Sequence, residues 1–241
     1  GELFNEINAN TGGINCGVEV FDRADSTEEF QAMFSVRGKA LYTKMDFLFK
    51  MIGEILNSSK LEDTKRLYEI VASVKSRAQV NLTGAGHSTA VLRAAAYSSP
   101  MAAFQDEMAG IGYYQFIEKL EKDFEQRKEE TVEELCKLMK KILRPENFMI
   151  SYTGERESLE TVQKLAGTVK AGLGTEPVEK SKEKLTCTKK NEGFKTSGQV
   201  QYVAQTGNFK KKGLEYTGAL EILKVILSYD YLWMNLRVKG G

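Results

Sequence analysis

The spacing of apolar residues along the chain changes from a period of two to a helical period. Residues 14–20 and 30–36 alternate between apolar and smaller or polar side chains, which predicts two neighbouring antiparallel strands. Over residues 41–142 the apolar positions recur at helical spacing, and this pattern predicts a block of several helices. A short helix is also predicted at residues 2–10, because Thr11-Gly12-Gly13 supplies a stop after it.

One more strand and one more helix are predicted after Pro145. Residues 147–153 form a short, mostly apolar run of the kind that occurs in strands. Ser158 resembles an N-cap for a helix that extends to about Leu173. Glu160 lies in the first turn of that helix, where the helix dipole favours a carboxylate.

A linker is predicted at residues 175–190, where Pro177 and several charged residues interrupt any apolar period. Short strand patterns follow at residues 186–188 and 199–204. An amphipathic pattern then predicts a closing helix over residues 214–236. The elements after the linker therefore repeat the plan of strands followed by a helix.

This order of elements predicts an α+β fold, in which an antiparallel sheet packs with a multi-helix layer. We expect one α+β domain with its associated helical region at residues 1–174, which would lack its own N-terminal part. The linker at residues 175–190 would then lead into residues 191–241, the start of a second, similar domain that is cut short at its C-terminal end.

The charge balance of the chain argues against a nucleic acid or an anionic membrane surface as its partner. Lys and Arg together number 34, and Asp and Glu together number 33, so the chain has no strong positive field. No apolar run approaches the roughly 20 residues that a membrane-spanning helix needs. The basic run Lys210-Lys211-Lys212 is therefore predicted to be a solvated loop.

The cysteines and the one histidine do not form the motifs that a catalytic site within this chain would need. Cys16, Cys136 and Cys187 are far apart and form no CxxC pair, which favours a reducing compartment over a disulfide framework. His87 alone cannot make a zinc motif such as HxxEH, and no G-x-S-x-G nucleophile motif is present. We therefore expect no catalytic residue and no metal ligand here, and no cofactor bound by this chain.

Arg237 is the one candidate binding residue. It follows Trp233 at the end of the closing helix and precedes the pair Gly240-Gly241, where glycine would permit a left-handed helix exit. The guanidinium could simply complement the helix C-terminus, or it could donate hydrogen bonds to the peptide carbonyls of a bound substrate. Because the chain stops where another element should follow, we expect it to be a piece of a larger protein.

Four segments, in this order, resemble the presequence-protease branch of the pitrilysin/insulinase-type zinc metallopeptidases. They are Glu6–Ile14 (EINANTGGI), Ser35–Leu41 (SVRGKAL), Ser197–Val203 (SGQVQYV) and Tyr231–Gly241 (YLWMNLRVKGG). The resemblance implies a parent chain of two halves that enclose a peptide-degrading chamber, with the HxxEH zinc site in the first half. This chain would be a non-catalytic part of the second half. Residues 1–174 would be the third metallopeptidase-like domain of the parent, and residues 191–241 would be the start of the fourth. It would bind substrate backbone through Arg237 and be inactive alone.

The same resemblance implies the partners and the compartment. Peptide substrates and the N-terminal catalytic half of the parent chain would be partners, with zinc bound by ligands outside this chain. The compartment would be the cytoplasm in a bacterium or an organelle of mitochondrial type in a eukaryote. The unpaired strand edges and apolar helix face of a shortened domain would also favour self-association.

Two alternative functions stay open from the residues. One is an inactive structural or assembly subunit that keeps the peptidase fold, and the other is a free-standing peptide-binding module. An intact HxxEH motif upstream in the parent would distinguish the enzyme from the inactive subunit.

Overall fold

The computed structural model describes residues 2–23, 25–178, 185, 187–196 and 198–240. It contains a two-stranded sheet and a layer of helices, which confirms the predicted α+β class. The strands are β1 (Ile14–Asp22) and β2 (Phe30–Gly38). The helices are α1 (Glu2–Asn10), α2 (Met45–Ser58), α3 (Thr64–Gly84), α4 (Gly86–Ala95), α5 (Pro100–Ala109), α6 (Ile111–Lys122), α7 (Phe124–Ile142), α8 (Leu159–Ala171) and α9 (Ala219–Ile226).

The hairpin formed by β1 and β2 confirms the alternating pattern. The strands are antiparallel, and Val18 lies opposite Phe34 in the register. Gly13, at the stop between α1 and β1, has a φ of 107°, a conformation that residues with a Cβ rarely adopt. The hairpin contacts the helical layer through Phe30, whose ring centroid lies 5.3 Å from that of Phe104 in α5.

The helical layer contains two buried clusters. In the first, α3, α6 and α7 meet around Phe124, whose side chain is 1% exposed. The other members of this cluster are Val71, Ile117 and Leu120, with Leu67, Val74 and Tyr113 packed against them. In the second, α2 packs against α8. The buried apolar residues of these two helices are Met45, Leu48, Met51, Val162, Ala166 and Val169.

The breaks between helices follow local capping chemistry. The side chain of Asp63 accepts a hydrogen bond from the backbone N–H of Arg66 at the start of α3. Ser99 caps α5 in the same way, with Pro100 at the first helical position. The predicted helix after Ser158 is confirmed as α8, but Ser158 makes no side-chain capping bond and lies buried in a 3₁₀ turn.

Two predicted strands are wrong. Residues 147–153 and 199–204 form neither a strand nor an α-helix, and in the described part of the chain β1 and β2 pair only with each other. An apolar run becomes a strand only when a partner satisfies its backbone groups, and neither segment has one. Residue 186 of the predicted strand 186–188 and residues 179–184 of the predicted linker lie outside the described residues, and the linker's described residues form no helix or strand.

The closing helix begins later than predicted. It starts at Ala219, and after α9 it continues with π-helical geometry over Leu227–Val238. None of its residues is buried. The predicted loop at Lys210–Lys212 is a single 3₁₀ turn that ends at Gly213, where φ is 79°. No helix in the described ranges has both the length and the apolar character that crossing a membrane requires.

Candidate functional site

Arg237 lies in the last turn of the π-helical segment, and its side chain is exposed. Within the described ranges its side chain forms no hydrogen bond and no ion pair, so its guanidinium is available to a ligand. The surface around it is apolar. Trp233 is 55% exposed and Leu236 is 65% exposed.

Gly240 is needed for a different reason from the one that the sequence predicts. It does not adopt the left-handed conformation. Instead, the backbone approaches so closely that a Cβ at Gly240 would lie 2.7 Å from the carbonyl oxygen of Leu236. Any other residue would have to displace this helix end. Gly241 lies outside the described residues.

The described residues do not fit a zinc site. No group of three or more His, Cys, Asp or Glu side chains converges among them in a way that could hold a metal ion. His87 is exposed, and its ring centroid lies 6.2 Å from that of Tyr202. The ordinary ligand sets for catalytic zinc contain at least three protein ligands.

The most elaborate polar cluster of the described chain surrounds Asp106, which sequence reasoning missed. Asp106 lies in α5 and is 2% exposed. Its carboxylate accepts hydrogen bonds from the backbone N–H groups of Ile111, at 3.0 Å, and Gly112, at 3.1 Å. The Nη1 of Arg93 in α4 donates a third bond to it at 2.6 Å. Asp106 therefore joins α4, α5 and the N-terminus of α6.

Arg93 also binds a second carboxylate, from a distant part of the sequence. Its Nε and Nη2 donate to the two carboxylate oxygens of Glu192 at 2.8 and 3.2 Å. The hydroxyl of Tyr97 donates to the same carboxylate. The Cζ of Arg93 lies 5.7 Å from the ring centroids of both Tyr97 and Phe194. We call these five residues, Arg93, Tyr97, Asp106, Glu192 and Phe194, the Arg93 cluster.

The Arg93 cluster changes the proton affinity of its members. The hydrogen bonds from Arg93 and then from Tyr97 lower the pKa of Glu192 from 4.5 to about 2. Burial, with the hydrogen bond to Glu192, raises the pKa of Tyr97. The hydrogen bond to Glu192 is also the largest cause of a raised pKa for Arg93. The charged pair is therefore maintained at neutral pH.

A sequence signal for the Arg93 cluster does exist. Between residues 78 and 117 the charged residues are Arg93, Asp106 and Glu107 alone. The lone base in this long, weakly charged stretch is expected to pair with one of the two acids, because an unpaired buried charge is costly. Nothing in the pattern, however, points to Glu192 as the third member.

Comparison with known proteins shows which proteins the chain is similar to. Residues 1–120 match the family model described as peptidase M16C associated. The first 120 residues of the chain are therefore similar to the peptidase M16C associated family, and presequence proteases are among the relatives of the chain. Protein HypA of Clostridium perfringens is 34% identical over 240 residues, which are 100% of this chain and 24% of that protein.

The presequence proteases match over the same extent. Presequence protease 1, chloroplastic/mitochondrial, of Arabidopsis thaliana is 26% identical over 245 residues, 99% of this chain and 22% of that protein. The mitochondrial presequence protease of Yarrowia lipolytica is 26% identical over 249 residues, 100% of this chain and 25% of that protein. The chain thus spans about a quarter of the length of these curated relatives.

The M16C associated match separates the two candidate regions. It covers the hairpin and the helices from α1 to nearly the end of α6. Arg93, Tyr97 and Asp106 lie within the match, whereas Glu192, Phe194 and Arg237 lie beyond it. The Arg93 cluster therefore ties the matched region to the later part of the chain.

Proposed function

We propose that the chain is a non-catalytic segment of a peptide-degrading zinc metalloendopeptidase. In this role it contributes wall to an enclosed chamber and binds the backbone of peptide substrates through Arg237. The alignment of almost the entire chain with presequence proteases carries this proposal. The zinc ligands and the catalytic residues lie in the N-terminal half of the parent chain.

The geometry of Arg237 supports a binding role. A planar guanidinium donates hydrogen bonds in a fixed fork, which suits carbonyl and carboxylate oxygens. Arg237 is exposed on an apolar helical surface, whereas Arg93 is fully engaged by two carboxylates. An arginine with no neutralising carboxylate keeps its donors for a ligand.

The proposed domain boundaries are residues 1–174, 175–190 and 191–241. The first range contains the buried clusters, from Met45 to Leu173. Among the described residues of 191–240, none is buried. A unit with no buried residue of its own depends on neighbouring structure, which in this proposal is the rest of the parent enzyme. For the compartment we propose an organelle in a eukaryote, in line with the chloroplastic and mitochondrial names of the plant and yeast relatives, and the cytoplasm in a bacterium.

Arg237→Ala in the full-length parent enzyme tests the binding role. If Arg237 contacts the substrate backbone in the transition state, kcat/KM for peptide cleavage falls by about 30- to 1,000-fold, or roughly 2–4 kcal/mol. Arg237→Lys keeps the charge and loses the fork, so it should recover only part of the activity.

Arg77→Ala is the matched control. Arg77 is also an exposed arginine without a partner among the described residues, but it lies on α3. Its replacement removes the same charge and should leave kcat/KM unchanged. If Arg237→Ala has the same kcat/KM as Arg77→Ala, the substrate-binding role of Arg237 is wrong. If the full-length parent cleaves no peptide with both residues intact, the peptidase proposal itself is wrong.

A further inference from the structure

The segment around Glu192 is attached to the helical layer without secondary structure of its own. The described residues of 187–204 form no helix or strand, and none of them is buried. We call this segment, residues 187–196 and 198–204, the strap. Because no sheet ladder and no core residue fixes the strap, its position depends on side-chain contacts with α4.

On the helix side of the contact between Glu192 and Arg93, Arg93 is held by residues of the helical layer. Asp106 binds Nη1 of Arg93 and is itself fixed by the backbone N–H groups of Ile111 and Gly112. The orientation of the guanidinium is therefore fixed by contacts that do not involve the strap. Its remaining edge, formed by Nε and Nη2, faces Glu192 and receives the carboxylate in two hydrogen bonds.

Two further contacts hold the strap along α4. The ring of Phe194 lies near the guanidinium of Arg93, and the face of an aromatic ring attracts a cation. Farther along the strap, the ring of Tyr202 lies directly over Gly86, where a Cβ would overlap it. Just beyond the strap, Lys211 forms an ion pair with Glu28 at 2.6 Å. These contacts are polar or partly exposed, so water can compete for them.

We propose that the strap is a releasable connection between the helical layer and the closing helix, which we call the latch. Its main contact is the carboxylate of Glu192. In the closed state Glu192 occupies the carboxylate receptor formed by Arg93 and Tyr97. Release requires that Glu192, Phe194 and Tyr202 leave α4 and that Lys211 leaves Glu28, and it disrupts no buried core. The closing helix, which follows the strap, is then no longer held to the helical layer through the strap.

Tryptic cleavage after Lys195 in the full-length parent protein tests the latch. Lys195 lies beside Phe194, and we expect the protease to bind this bond well only when the strap has left α4, so that the cleavage rate follows the population of the open state. The variants change only the helix side, which leaves the protease's recognition sequence intact. Arg93→Lys keeps the charge but cannot bind Asp106 and Glu192 with one fork. We expect it to accelerate this cleavage about tenfold, and Tyr97→Phe to accelerate it about threefold.

Cleavage after Lys164 in α8 provides the internal reference, since it requires opening of the helical layer. Arg77→Lys is the control for an arginine-to-lysine change and should leave both rates unchanged. The latch is supported if the rate at Lys195 rises while the rate at Lys164 stays constant. It is overturned if Arg93→Lys and Tyr97→Phe cleave after Lys195 as slowly as the unchanged protein. It is equally overturned if both sites accelerate together, because that result means general unfolding.

Discussion

Replacing Asp106 by alanine removes the carboxylate that joins α4, α5 and α6. The side chain is 2% exposed and accepts three hydrogen bonds, one from Arg93 and two from the backbone of α6. Gly110 and Gly112 pack against it so closely that a Cβ at either position would collide with acidic side-chain atoms. The Asp106→Ala variant therefore leaves the donors of Ile111, Gly112 and Arg93 without their acceptor.

The expected loss can be worked out from these contacts. Removing one partner of a buried ion pair costs about 3–5 kcal/mol. Each buried N–H group that loses its acceptor costs roughly 1–3 kcal/mol more. Arg93 retains Glu192, and water can enter the space, so we expect a net loss of about 4 kcal/mol. For a chain of this length, that loss lowers Tm by about 8–16 °C.

Urea unfolding of the chain, followed by far-UV circular dichroism, measures this loss. Asp63→Ala is the matched control, because Asp63 is an exposed N-cap that accepts only one backbone hydrogen bond, from Arg66. Its loss should cost about 1 kcal/mol. The reasoning about Asp106 is refuted if Asp106→Ala is no more destabilising than Asp63→Ala.

Two further changes test the cluster and the core separately. The lowered pKa of Glu192 contributes stability that is present above about pH 4.5 and is lost as the pH falls toward 2. The groups that face it are Arg93, Tyr97 and Lys190. After solvent screening we expect this pKa shift to contribute about 1–2 kcal/mol to the free energy of unfolding. The measurement is the difference in urea midpoint between pH 7 and pH 3, which Glu192→Gln should reduce. Phe124→Ala should cost about 3–5 kcal/mol in the same unfolding experiment, because Phe124 is 1% exposed. Phe116 is 56% exposed, so an equal loss of stability in Phe116→Ala would contradict this expectation.

The parts of the fold that local chemistry determines were predictable from the sequence. The alternating residues of β1 and β2 are close in the chain, and their register follows from a short connection. The block of several helices follows from the helical spacing of its apolar residues, which is a local property of the sequence. These predictions needed no knowledge of tertiary contacts.

The parts that depend on distant contacts were not predictable in this way. Residues 147–153 and 199–204 have apolar residues suited to a strand, but the pairing that makes a strand comes from elsewhere in the fold. Arg93 and Glu192 are 99 positions apart, so no periodicity relates them. The spacing of charges indicates that Arg93 needs a partner, and only the fold shows that Glu192 is one of its two partners.

The exposed surface of the closing helix decides where Arg237 should be tested. Its apolar side chains are exposed, Ile222 by 66% and Trp233 by 55%, so packing inside the described chain does not stabilise it. Most of the stability of a protein helix comes from packing of its apolar face, and long π-helical segments are rare. The helix therefore depends on a surface outside the described residues, and the orientation of Arg237 depends on that surface as well. In the proposed parent, the remaining polypeptide supplies it. In a binding measurement on the chain alone, the helix that carries Arg237 would lack the surface that orients it. The value of kcat/KM in the full-length enzyme is therefore the decisive quantity.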